Sequence, residues 1–117
     1  MSYGSSEAAQ SLSLSLRDAW VKAAVEHRTL KIRYYSGPIK DEVTVREVEP
    51  DYIATSDYWR GFGCWGYCRL RDHIRVFNVE GVNQWVFTGN VFTPNPNGRW
   101  RELLPYYREN ELGLITE

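Results

Sequence analysis

The stretch GFGCWGYCRLRDHIRVFNV, residues 61–79, decides how this chain is read. Phe62, Trp65 and Tyr67 are laced with Gly61, Gly63 and Gly66, the pattern of a strongly curved strand that backbone or ligand can approach closely. RDHI, residues 71–74, reads as a hairpin that returns the chain into a second strand, IRVFNV. That hairpin predicts Arg69 and Arg75 on adjacent antiparallel strands, within reach of one anion. A guanidinium fork grips phosphate oxygens two at a time, which an ammonium cannot do. The competing reading is a structural salt bridge to Glu47 or Glu49. GFGCWG has the look of a broken GxGxxG, but that motif must open a helix and this run is a strand.

Upstream, LKIRYYSG alternates, with Leu30, Ile32 and Tyr34 on one face and Lys31, Arg33 and Tyr35 on the other. It is a half-buried strand ending at Ser36-Gly37-Pro38. Val43, Val45 and Glu47 alternate with Thr44, Arg46 and Val48 in the next strand, where Pro50 implies a bend or an edge. Arg33, Tyr35 and Arg46 are expected opposite the core. Interleaved cations and rings there suit single-stranded nucleic acid, whose bases stack while guanidinium groups meet phosphate; a solvated outer face is the alternative. Downstream, QWVFTG makes a fifth strand, and Pro94 to Gly98 is a loop.

The ends are helical. Leu12, Leu16, Ala19, Trp20, Ala23 and Ala24 recur at three- and four-residue steps, predicting an amphipathic helix over 13–26. Ser15 is an alternative cap, because Asp18 follows three residues later. His27 and Arg28 are expected to end it as cations at the negative end of the helix dipole. A second short helix is predicted from Arg99 to Glu111, with Pro105 as its weak point. The expected organisation is a lead-in over 1–11, a barrel with its N-terminal helix over 12–93, and a C-terminal extension over 94–117.

Composition sets the outer bounds. A chain of 117 residues, 43% hydrophobic and 15% aromatic, suffices for one core without disulfide or metal support. Cys64 and Cys68, four apart on a strand, are too distant for a disulfide and read as buried structural thiols; no cofactor or metal is expected. No apolar run approaches the roughly 18 residues of a membrane span. The start lacks a basic-then-apolar signal, so a cytoplasmic protein is expected. Net charge is −1, yet eleven of the fourteen cations are Arg. Arg60, Arg69, Arg71 and Arg75 cluster with His73 against the single acid Asp72, which points to a defined anion site rather than a polyanion coat. No Ser or Cys nucleophile has a partner by spacing, so an enzyme is not expected.

From about Ala24 to Phe92 the chain resembles the WYL domain of bacterial transcription regulators. The resemblance lies in AVEHRTLKIRYYSG with Tyr34, in TVREVEPDYI, in GYCRLRDHIRVFNVEGV with Arg69, Arg75 and Phe77, and in TGNVFTPNP. At the place of the tripeptide that names the family stands Phe62-Gly63-Cys64, where only an aromatic at the first position matches.

The resemblance implies a mostly β fold, a small Sm-like five-stranded β-barrel behind an N-terminal helix. It also implies ligand sensing by a basic, aromatic-lined groove that recognises nucleic acid or a nucleotide and switches a separate DNA-binding domain or partner protein. The candidate ligand-binding residues are Arg69, Arg75, Arg33, Arg46, Arg60, Tyr34, Tyr67 and His73. For Tyr34 a core position competes with the groove, and for His73 a solvated turn does. A homodimer or protein-interaction module is the rival function.

Overall fold

The computed structural model describes residues 14–54 and 61–113; Arg60, the turn at Ser56 and Asp57, and the lead-in lie outside them. The chain runs α1 (Leu16–Glu26), β1 (Arg28–Tyr35), β2 (Val43–Ala54), β3 (Gly63–Cys68), β4 (His73–Asn78), a 3-10 turn (Val79–Gly81), β5 (Val82–Val91), a second 3-10 turn (Trp100–Leu103) and α2 (Leu104–Glu109). The fold is mostly β: one antiparallel sheet in the order β4-β3-β2-β1-β5, with a helix at either end of the chain.

Local chemistry sets the helix ends. The Ser15 hydroxyl accepts the Asp18 N–H at 3.1 Å, so α1 starts at the later of the two caps read from the sequence. His27 ends it in the left-handed region, φ 58°, its N–H donating to the Ala23 carbonyl. Its ring does not serve as a cation there. It packs edge-on against Trp100 at 4.6 Å and beside Phe92 at 5.9 Å. Burial, and then the charge of Arg101, lower its pKa and favour the neutral ring. At the C-terminus Pro105 stands in the first turn of α2, where a missing N–H costs nothing, and the preceding residues form the 3-10 turn instead.

β2 is the spine of the sheet. Its first half pairs with β1 and its second half with β3, and Val48 belongs to both ladders, opposite Leu30 and Cys68. Pro50 is buried just past the end of the β1 ladder, at a register shift before Tyr52, so it marks a bend where the strand pairs with β3 on one side. Gly66 allows the coiling, since a Cβ there would lie 2.7 Å from the Glu49 carbonyl oxygen.

The expected barrel closure is not found. Among the described residues no ladder joins β4 to β5, and the sheet is open in its hydrogen bonding. The three-residue turn Val79–Gly81 links these edges directly. Gly81 packs so tightly on Tyr34 and Tyr35 that a Cβ would fall 2.5 Å from the Tyr35 carbonyl oxygen. The result is a sharply bent trough filled by Trp20, Leu30, Ile32, Val48, Cys64, Cys68 and Phe77. Both cysteines are buried and free. Val21, Ala24, Leu103 and Leu112 form a second cluster that holds the C-terminal segment on α1, aided by Tyr106 to Asp18 at 2.7 Å and Tyr107 to Glu26 at 2.6 Å.

A polar clamp ties the outer face. One carboxylate oxygen of Glu47 accepts from Asn90 of β5 at 2.6 Å, from Thr29 of β1 at 2.7 Å and from Arg69 at 3.2 Å. These bonds favour the ionised form and lower the Glu47 pKa from the ordinary 4.5, Asn90 and Thr29 contributing most. A depressed carboxylate stabilises the fold above its unfolded value, and that contribution is lost as pH falls through the folded value. Glu47→Gln is therefore expected to cost about 2 kcal/mol at pH 7 and progressively less as pH falls through the folded value, checked by thermal melts of both chains across an acid pH series.

A candidate anion site on the inner face

The phase of β2 is opposite to the one read from its valines. Val43 and Val45 are 49% and 61% exposed, while Arg46 is 2% exposed and lies inside. The cause is pairing: Val48 must meet Leu30 in the core, and a period of two then carries Arg46 and Thr44 inward with it. The Arg46 Nε donates to Thr44 Oγ1 at 2.7 Å, and Nη1 approaches Cys68 Sγ at 3.8 Å. Its guanidinium carbon lies 5.3 Å from the Tyr34 ring centre and 5.7 Å from that of Phe77.

Arg75 joins the same ring. It lies opposite Gly66, on the face that carries Cys64, Cys68 and Phe77, with its guanidinium carbon 6.0 Å from the Phe77 centre. Tyr34 stands edge-on to Phe77 at 5.1 Å, and its hydroxyl accepts the Asn78 N–H at 3.4 Å. Two guanidinium groups thus converge on one phenylalanine, and among the described residues neither has a carboxylate partner. Ring faces offset about 0.5–2 kcal/mol of a desolvated cation's cost, short of the several kcal/mol that its burial demands.

Arg69 does not converge with Arg75. It projects from the opposite face, bonded to Glu49 at 2.9 Å and Glu47 at 3.2 Å, because the β2–β3 register brings both acids beside it. Arg33 is exposed on that outer face, level with Val45 and Gln84. Tyr35 leans on Asp41 at 3.1 Å.

Tyr67 and His73 line a different cavity, a cleft of ≈ 620 Å³ between the β3–β4 hairpin and the segment after β5. The Tyr67 hydroxyl donates to Asp72, and His73 is exposed. Of the residues singled out from sequence, then, Arg46, Arg75 and Tyr34 come together. Phe77, the ring that gathers them, was missed as a site residue. The signal was present in the i, i+2 relation of Arg75 to Phe77 and of Arg46 to Val48.

No helix among the described residues is long and apolar enough to cross a membrane. No curated protein matches the chain. Among solved structures it is similar to proteasome accessory factor B/C (PafBC) of Arthrobacter aurescens, with 25% identity and a TM-score of 0.56. The match covers 68% of this chain but only 13% of PafBC. The family model of the WYL domain matches residues 17–86 and takes in the α1 helix, the bent trough and both inner arginines, and the chain belongs to the WYL domain family.

Proposed function

We propose that this chain is a regulatory ligand-sensing module whose inner face receives an anionic group, the phosphate of single-stranded nucleic acid or of a nucleotide. The observation that carries this reading is the pair Arg46 and Arg75, gathered on Phe77 beside Tyr34 with no ion-paired acid among the described residues. Guanidinium forks hold the phosphate, Tyr34 supplies the aromatic wall, and occupancy is passed to a DNA-binding domain or partner that controls transcription or a defence system. In this reading Arg69 braces the outer face through Glu47 and Glu49, and exposed Arg33 steers the ligand electrostatically.

Fluorescence anisotropy with labelled short single strands, competed by nucleotides, tests the proposal. Binding is expected at low salt, weakening with a log–log salt slope of about −1.4 for two phosphate contacts. Arg75→Ala is expected to weaken it about tenfold and to shrink that slope. Absence of binding at low salt, or binding that Arg75→Ala leaves untouched, overturns it.

A further inference from the structure

The ≈ 620 Å³ cleft is the chemical reverse of the arginine site. Glu49 and Asp51 of β2 and Tyr67 of β3 line it on one side, and Phe92, Pro94 and Pro96 on the other. Among the described residues no arginine or lysine lines it. The guanidinium groups beside these acids are engaged elsewhere. Arg69 divides between Glu49 at 2.9 Å and Glu47 at 3.2 Å, and two carboxylates against one guanidinium leave a negative charge. Asp51 accepts the backbone N–H of Arg99, at 2.9 and 3.2 Å, but the guanidinium of that residue forks onto Glu102 with both bonds at 2.9 Å. Each acid of the cleft thus belongs to a trio with one negative charge in excess.

The walls narrow the choice of ligand. The Tyr67 hydroxyl is bonded to Asp72 and the Phe92 ring lies 5.9 Å from that of His27, so both rings are fixed in place. Ring faces attract a cation, and prolines give apolar surface that loses no side-chain freedom on contact. A cleft of this size with apolar walls and a few polar groups has the form of a small-molecule site. Phosphate is repelled from it. Glu49 and Asp51 stand two residues apart on β2, roughly 7 Å along the strand, a gap that a short alkyl chain spans.

We infer that this cleft binds a small organic dication of the aliphatic polyamine class, its ammonium groups at Glu49 and Asp51 and its methylenes against Tyr67, Phe92 and the prolines. The two excess charges select the two ammonium groups, and the rings and prolines select the apolar chain between them. The site does not rest on the Arg46–Arg75 reading and stands if that reading fails.

The probe is cadaverine, compared with pentylamine and pentanediol on the same carbon chain by amide chemical-shift titration of the full chain. The expected result is shifts concentrated at Glu49, Tyr67, Ile74, Phe92 and Asn95, with cadaverine at least about tenfold tighter than pentylamine and pentanediol without effect. Asp51→Asn keeps an oxygen for the Arg99 N–H, and Glu49→Gln leaves Arg69 paired with Glu47. Each is expected to weaken cadaverine about tenfold, the amide spectrum of each variant reporting that it is folded. Equal binding of cadaverine and pentanediol, shifts elsewhere or none, or an affinity indifferent to both substitutions overturns the assignment. It is equally overturned if magnesium chloride at the same ionic strength reproduces the shifts, which would make them general screening of surface charge.

Discussion

Arg46→Met is expected to raise the melting temperature of this chain while abolishing its capture of an anionic ligand. The buried guanidinium has Thr44 and Cys68 as hydrogen-bond partners and two ring faces, but no ion-paired acid among the described residues. Replacing a buried charge with an apolar side chain of similar length is neutral or stabilising, by about 1–4 kcal/mol where the charge is poorly compensated. The same substitution removes a charge-assisted contact to a desolvated phosphate, which costs about 2–5 kcal/mol, or at least about thirtyfold in Kd. Thermal melts and anisotropy on one preparation check both halves. A fall in melting temperature would make Arg46 a structural residue and remove the argument for a ligand from its uncompensated charge.

The largest stability effect is expected at Trp20. The ring is fully buried, 6.1 Å from Phe77, and its Nε1 donates to the Trp65 carbonyl at 3.1 Å. It is the wedge by which α1 fills the trough. Trp20→Ala is expected to cost about 3–5 kcal/mol, roughly a fifth or more of the stability of a domain this size. Trp20→Phe keeps most of the buried ring and is expected to cost less than half as much. Urea unfolding with an unchanged m-value measures both; a loss under 1 kcal/mol for the alanine variant would mean that α1 is not integral to the core.

The strands were legible wherever local pattern and burial agree. Leu30, Ile32 and Tyr34 announce the inner face of β1, and Ser15 with Asp18 announces the start of α1. β2 was not legible, because Val43 and Val45 occupy the phase that an apolar stripe would take and Arg46 the phase that water would claim. Only the pairing of Val48 with Leu30, across a hairpin, decides between the two. For Arg69 the competing reading named the right acids, Glu47 and Glu49, but they lie about twenty residues upstream and only the β2–β3 register makes them its neighbours instead of Arg75. The family signature led to Arg69 and Arg75 as a pair, whereas three-dimensional pairing joins Arg75 to Arg46. Local rules failed where a charge is held inside against its solvation preference, which is where function is expected.

The short turn Val79–Gly81 has a kinetic consequence. β4 and β5 are neighbours in sequence but occupy opposite margins of the sheet, so β5 reaches β1 only after the meander from β1 to β4 has curled. Its ladder, which joins Arg28 to Val91, closes the longest loop of any ladder in the sheet and so belongs late in the assembly of the sheet. Whatever loosens β5 first bares the margin of β1, with Leu30 and Ile32 beneath it, as a template for aggregation.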